Sequence, residues 1–120
     1  MERVDLSQVH FFHYEVLPAV PSKEVQGGYA DVCSIAVDET AAEAQALELI
    51  ELQGFREPKR LAYLRADRLP MNEWEKLDRD LLGKAFRRTP PVAALFSVWG
   101  ADREEPLLTD LPLPGERDQQ

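Results

Sequence analysis

A single cysteine, two histidines and no long apolar run limit what this chain can be. With Cys33 alone, no internal disulfide can form and no cysteine-based zinc set can be assembled. No apolar run approaches the roughly 20 residues needed to span a bilayer. The opening residues, MERVDLSQ, lack the basic-then-apolar order of a signal peptide. A cytoplasmic protein with no membrane segment is therefore expected. Signatures of nucleophilic catalysis are missing too. There is no G-x-S-x-G elbow, and Gly27-Gly28 lacks the Lys-Ser/Thr that would complete a phosphate loop. Basic residues are scarce, 14 against 22 acidic ones, for a net charge of −8. Such a chain repels nucleic-acid phosphate and is steered toward a basic partner surface.

The charge is uneven. Residues 1–55 carry two basic and ten acidic groups, residues 56–88 ten basic and six acidic, and residues 89–120 two basic and six acidic. The basic stretch holds Arg56, Lys59, Arg60, Arg65 and Arg68, with Tyr63 among them. It has no RNP signature, so no nucleic-acid partner is expected.

What is present is patterning. Asp38 to Phe55, DETAAEAQALELIELQGF, reads as an amphipathic helix with its own start and stop. Thr40 and Glu43 have the spacing of a capping box, Asp38 and Glu39 place negative charge at the positive end of the dipole, and Gly54 can take the left-handed stop. Ala42, Ala46, Leu47, Leu49 and Ile50 share the inner face; Ala41, Gln45, Glu48 and Glu51 share the outer, with Leu52 on that polar side.

Strands flank the helix. Val9–Leu17 and Tyr29–Val37 are aromatic or β-branched, and both alternations of the second are largely apolar, as in a central strand. Lys59–Leu69 reads as a third strand. A second helix opens near Pro70 with Asn72 as its cap and a stripe of Trp74, Leu77, Leu81, Leu82 and Ala85. Thr89-Pro90-Pro91 stops it before a fourth strand, Val92–Trp99. The expected architecture is α+β: a two-layer sandwich of a four-stranded mixed sheet with two helices on one face, in the order β-β-α-β-α-β. Residues 1–100 form the domain, and 101–120, rich in proline and acid, read as a mobile tail.

The candidate chemistry is sparse. His10 and His13 lie three apart on a strand and so point to opposite faces, which denies one ion both rings; no metal or cofactor is expected. Cys33 and His13 occupy odd positions of neighbouring strands and form the one conceivable thiol–imidazole pair. A ligand pocket on the open sheet face would draw on His10, His13, Tyr14, Tyr29 and Cys33.

The strand running into D-E-T-x-x-E-A, the helix ending in I-x-x-x-G-F, and the strand, helix and short aromatic strand that follow resemble small bacterial α+β proteins, among them immunity proteins of polymorphic or contact-dependent toxins. The likeness spans about residues 9–99 and rests on Asp38, Thr40, Glu43, Ala44, Gly54 and Phe55. It implies a non-enzymatic domain that binds and blocks a basic toxin, and it carries over no functional residue. The acidic outer helix face, Asp38, Glu39, Glu48 and Glu51 with Leu52 as an apolar anchor, is the expected partner surface. A small-molecule or enzymatic domain acting as a homodimer, and a structural subunit, are the alternatives.

Overall fold

The computed structural model describes residues 5–20, 22, 24–68, 79–100 and 107–109. Its elements are β1 (Val9–Pro18), β2 (Gly27–Ile35), α1 (Glu39–Leu52), β3 (Phe55–Arg65), α2 (Arg79–Phe86), β4 (Val92–Trp99) and β5 (Leu107–Thr109), with 3-10 turns at Leu6–Gln8 and Ala66–Arg68. The fold class is α+β as expected, but the order differs by an added fifth strand. The expected start of the second helix, including Asn72 and Trp74, lies outside the described residues, as does most of the expected tail.

The sheet is antiparallel throughout, in the order β3-β1-β2-β4-β5. The expected mixed sheet is not found; a strand–helix–strand unit can return parallel to its neighbour. Here β3 does run parallel to β2, but α1 carries the chain past β1, so β3 pairs with β1 instead. The β1–β3 ladder slips between His13 and Tyr14 and again between Glu15 and Leu17. Glu57, at a φ of +50°, precedes Pro58 in the second slip. Bulges, a proline and cations blunt β3, an edge strand, against pairing with another chain.

The two helices lie on opposite faces, not on one. Even-numbered residues of the central strands, Phe12, Tyr14, Val16, Ala30, Val32, Ala94, Phe96 and Val98, pack with Ala42, Ala46, Leu49 and Ile50 of α1. Odd-numbered Val9, Cys33 and Ala93 pack with Leu81 and Ala85 of α2, with Phe11, Ile35 and Leu95 at the margin. Because β-strand side chains alternate faces, this parity is the physical reason for the correction: both faces of β1, β2 and β4 are apolar at one end, and each needs its own cover.

Helix α1 forms where the periodicity placed it, with different punctuation. Asp38 is the N-cap, its side chain accepting from the Ala41 N–H at 2.8 Å. Thr40 is already helical, so the expected capping box does not form at its position. Gly54 takes a φ of +90° just past the C-cap. Leu47, expected inside, is 38% exposed; it sits about 140° around the helix from Ala42, at about 100° per residue.

Candidate functional site

The end of the sheet away from α2, on the odd-numbered face, is covered by no described helix. Cross-strand register sets Glu15 opposite Tyr29, His13 opposite Asp31, and Gly27 opposite Trp99. His13 Nδ1 lies 2.6 Å from Asp31 Oδ1. The carboxylate can only accept, so Nδ1–H donates, and Nε2 of the neutral ring is left as an acceptor. The imidazole stacks on Tyr29, with centroids 5.4 Å apart and planes at 16°. Tyr29 in turn meets Trp99 at 5.2 Å and 53°. The result is a row of rings, each partly exposed.

Gly27 makes that row possible. A Cβ there would fall 2.5 Å from Cζ2 of Trp99, closer than real atoms approach. The missing side chain lets the indole lie against the β2 backbone. Lys59 of β3 sits opposite Glu15 at the same level of the sheet.

The covered face is chemically closed. The Tyr14 hydroxyl donates to Glu43 Oε2 at 2.9 Å. Arg60, from β3, reaches Glu39 at 2.8 Å and Glu43 at 3.5 Å. Its guanidinium lies over the rings of Tyr63 and Phe12, 4.7 and 5.4 Å from their centroids. Burial, then the hydrogen bond and charge of Glu43, push the Tyr14 phenol well above its ordinary value, against the opposing charge of Arg60. For Arg60, burial disfavours the cation, but the hydrogen bond and charge of Glu39, with Glu43, outweigh it and raise its pKa. Burial also raises Tyr63, as does the charge of Glu39. His10 is fully enclosed: Nε2 faces the Ala36 carbonyl at 3.1 Å, and Nδ1 the Tyr63 hydroxyl at 2.7 Å. The carbonyl requires Nε2–H, so in the neutral ring Nδ1 accepts from Tyr63.

The residues expected to form a pocket are thus divided. His13 and Tyr29 meet on the open face. His10 and Tyr14 lie beneath α1 on the other. Cys33 is buried under α2 and opposes Phe11, not His13, so the thiol–imidazole pair does not assemble. His10 and His13 take opposite faces, as their spacing on a strand dictates.

The expected partner face is divided as well. Asp38 is occupied as a cap and Glu39 by Arg60. Glu48, Glu51 and Leu52 remain exposed on the outer side of α1, Leu52 by 64%. Asp31, Trp99 and Gly27 are not among the expected site residues, although Trp99 suits an interface anchor at a sheet edge and Asp31 a carboxylate beside the histidines. Period-two alternation could have placed each on a face, but only the pairing register brings them to His13 and Tyr29.

Among the described residues, no group of three His, Cys, Asp or Glu side chains could hold a metal ion, and no helix is long and apolar enough to cross a membrane. The His13–Asp31 pair fixes the orientation of the imidazole. No protein-family model, curated protein or solved structure matches this chain.

Proposed function

We propose that this chain is a non-enzymatic protein-binding domain of the bacterial cytoplasm whose partner presents a basic surface, most concretely a toxin that it neutralises as an immunity protein. The observation that supports this reading is the partly exposed His13–Tyr29–Trp99 row, with Asp31 and Glu15 beside it. Tyrosine and tryptophan dominate interface energetics because they remove large area from water with few torsions to freeze. Their rings also take Arg and Lys side chains by cation–π attraction, and adjacent carboxylates add charge-assisted hydrogen bonds. A net charge of −8 would accelerate encounter with a cationic partner. Glu48, Glu51 and Leu52, on the outer side of α1, form the rim surface that contributes steering.

The test is co-expression with any basic toxin domain found encoded beside this gene. Trp99→Ala is expected to abolish protection, while Glu48→Gln with Glu51→Gln slows association and steepens no loss of affinity beyond about tenfold. A locus with no toxin gene, or full protection by Trp99→Ala, sinks the proposal.

A second reading, a small-molecule or enzymatic domain acting as a homodimer, is favoured by the His13–Asp31 pair alone. A monomeric mass in light scattering counts against it.

A further inference from the structure

Helix α2 carries a feature that the protein-binding reading does not use. Arg79, Gly83 and Arg87 follow one another at intervals of four residues, which aligns them along one side of a helix. Gly83 lies in the interior of an eight-residue helix, where it costs roughly 1 kcal/mol relative to alanine. The Arg87 guanidinium folds back across it: a Cβ on Gly83 would come 3.2 Å from Arg87 Nη1. Between this notch and β4 lies a cleft of about 400 Å³, lined among the described residues by Arg79, Asp80, Leu81, Gly83, Lys84, Arg87 and Leu95. Arg79, Lys84 and Arg87 line it with Asp80, more basic residues than acidic ones, against the sign of the chain as a whole. None of the ion pairs among the described residues engages Arg79 or Arg87. Leu81 and Leu95 supply apolar surface, and Leu95 pairs in register with Asp31, so the cleft borders the open end of the sheet.

The geometry points to a binding site for a small organic oxyanion, a phosphate or carboxylate on a compact apolar body, held in this cleft by Arg79 and Arg87. Arginine suits the task because its planar fork meets two oxygens of one oxyanion at once and keeps its charge at any physiological pH. The volume falls in the range of small-ligand sites, and the mixture of a few convergent charges with apolar walls is their usual lining. The missing side chain at position 83 lets the Arg87 guanidinium lie down against the helix, where it lines the cleft. This site uses different residues from the Tyr29–Trp99 row and does not depend on the protein-partner reading.

The test is titration of the full chain with phenyl phosphate, benzoate, inorganic phosphate and benzyl alcohol, followed by backbone amide shifts of Gly83, Lys84 and Leu95. Saturable shifts are expected with phenyl phosphate or benzoate, the tighter of the two naming the oxyanion. Inorganic phosphate should bind more weakly, benzyl alcohol should give no saturable shift, and added salt should weaken all binding. Arg79→Gln and Arg87→Gln should each weaken binding by roughly tenfold. Gly83→Leu should push the Arg87 guanidinium off the helix and weaken binding about as much as Arg87→Gln, while the thermal midpoint holds or rises, since leucine is the better helix former. The proposal is overturned if no probe gives saturable shifts at these amides, or if the shifts persist in the Arg79→Gln, Arg87→Gln double variant.

Discussion

The two faces of the sheet are finished differently. On one, the fourteen-residue α1 lies over β1, β2 and β4, and the polar atoms beneath it are paired. Ser34 accepts from Gln45 at 2.8 Å, His10 is bonded through both nitrogens, and Tyr14 meets Glu43. On the other, among the described residues, α2 covers the end where small side chains, Cys33, Ala66 and Ala93, let it sit close. Beyond it stand His13, Tyr29 and Trp99, satisfied by one another more than by a helix. Folding accounts for the polar groups named on the first face. It accounts for less on the second, since a partly exposed aromatic row gains little stability where it stands. That asymmetry is the reason for locating function on the second face, and three measurements would break or sharpen it.

The largest effect is expected from emptying each core in turn. Ile50→Ala, at a site 1% exposed, should cost about 4 kcal/mol. Leu81→Ala should cost nearer 2 kcal/mol, because its surroundings lie beside the cleft and can relax. Urea denaturation measures both; a larger loss at Leu81 would reverse the ranking of the faces.

A smaller effect should follow from Gly27→Val. The added atoms meet the Trp99 ring, so the indole must leave the β2 backbone, at a cost of about 1–3 kcal/mol. In a Trp74→Phe background the emission of Trp99 should shift to longer wavelength as the ring becomes wetter. Unchanged emission would show that the ring does not rest on Gly27.

The smallest effect concerns pH. Tyr14 has its pKa raised in the fold, so the folded chain keeps a proton that the unfolded chain begins to release near pH 10. Stability from this group is fully present below that value and is lost as pH rises from there through the raised folded value. Melting midpoints should therefore fall above about pH 10. Tyr14→Phe should flatten part of that slope while costing about 1–2 kcal/mol at neutral pH through the lost hydrogen bond to Glu43. An identical alkaline slope in the variant would contradict the burial argument.

Much of the covered face was legible in the sequence. Ala42, Ala46, Leu49 and Ile50 follow helical spacing, and each is buried on the inner face of α1. The strands emerged from their composition, although β3 runs Phe55–Arg65 where Lys59–Leu69 was expected. Tertiary pairing with β1 extends it back to the helix stop and releases it at the Ala66–Arg68 turn. The cap moved from Thr40 to Asp38 because both residues can serve, and the choice depends on where the incoming chain turns. The open face was less legible. Spacing placed His10 and His13 on opposite faces, but a residue's partners across a sheet come from register, which a period-two pattern leaves free.

The sequence by itself therefore determined the local structure: an α+β chain, its helix periods, its strand-forming segments, the left-handed stop at Gly54 and the opposition of the two histidines. These follow from propensity, side-chain period and backbone sterics, which act within a few residues. Only the tertiary structure decided that the sheet is antiparallel, that α1 and α2 take opposite faces, and that Gly27, Tyr29, Asp31 and Trp99 gather around His13. Those outcomes depend on which strands become neighbours and in which register, and that choice is made by burial summed over the whole sheet, where no short stretch of sequence carries the answer.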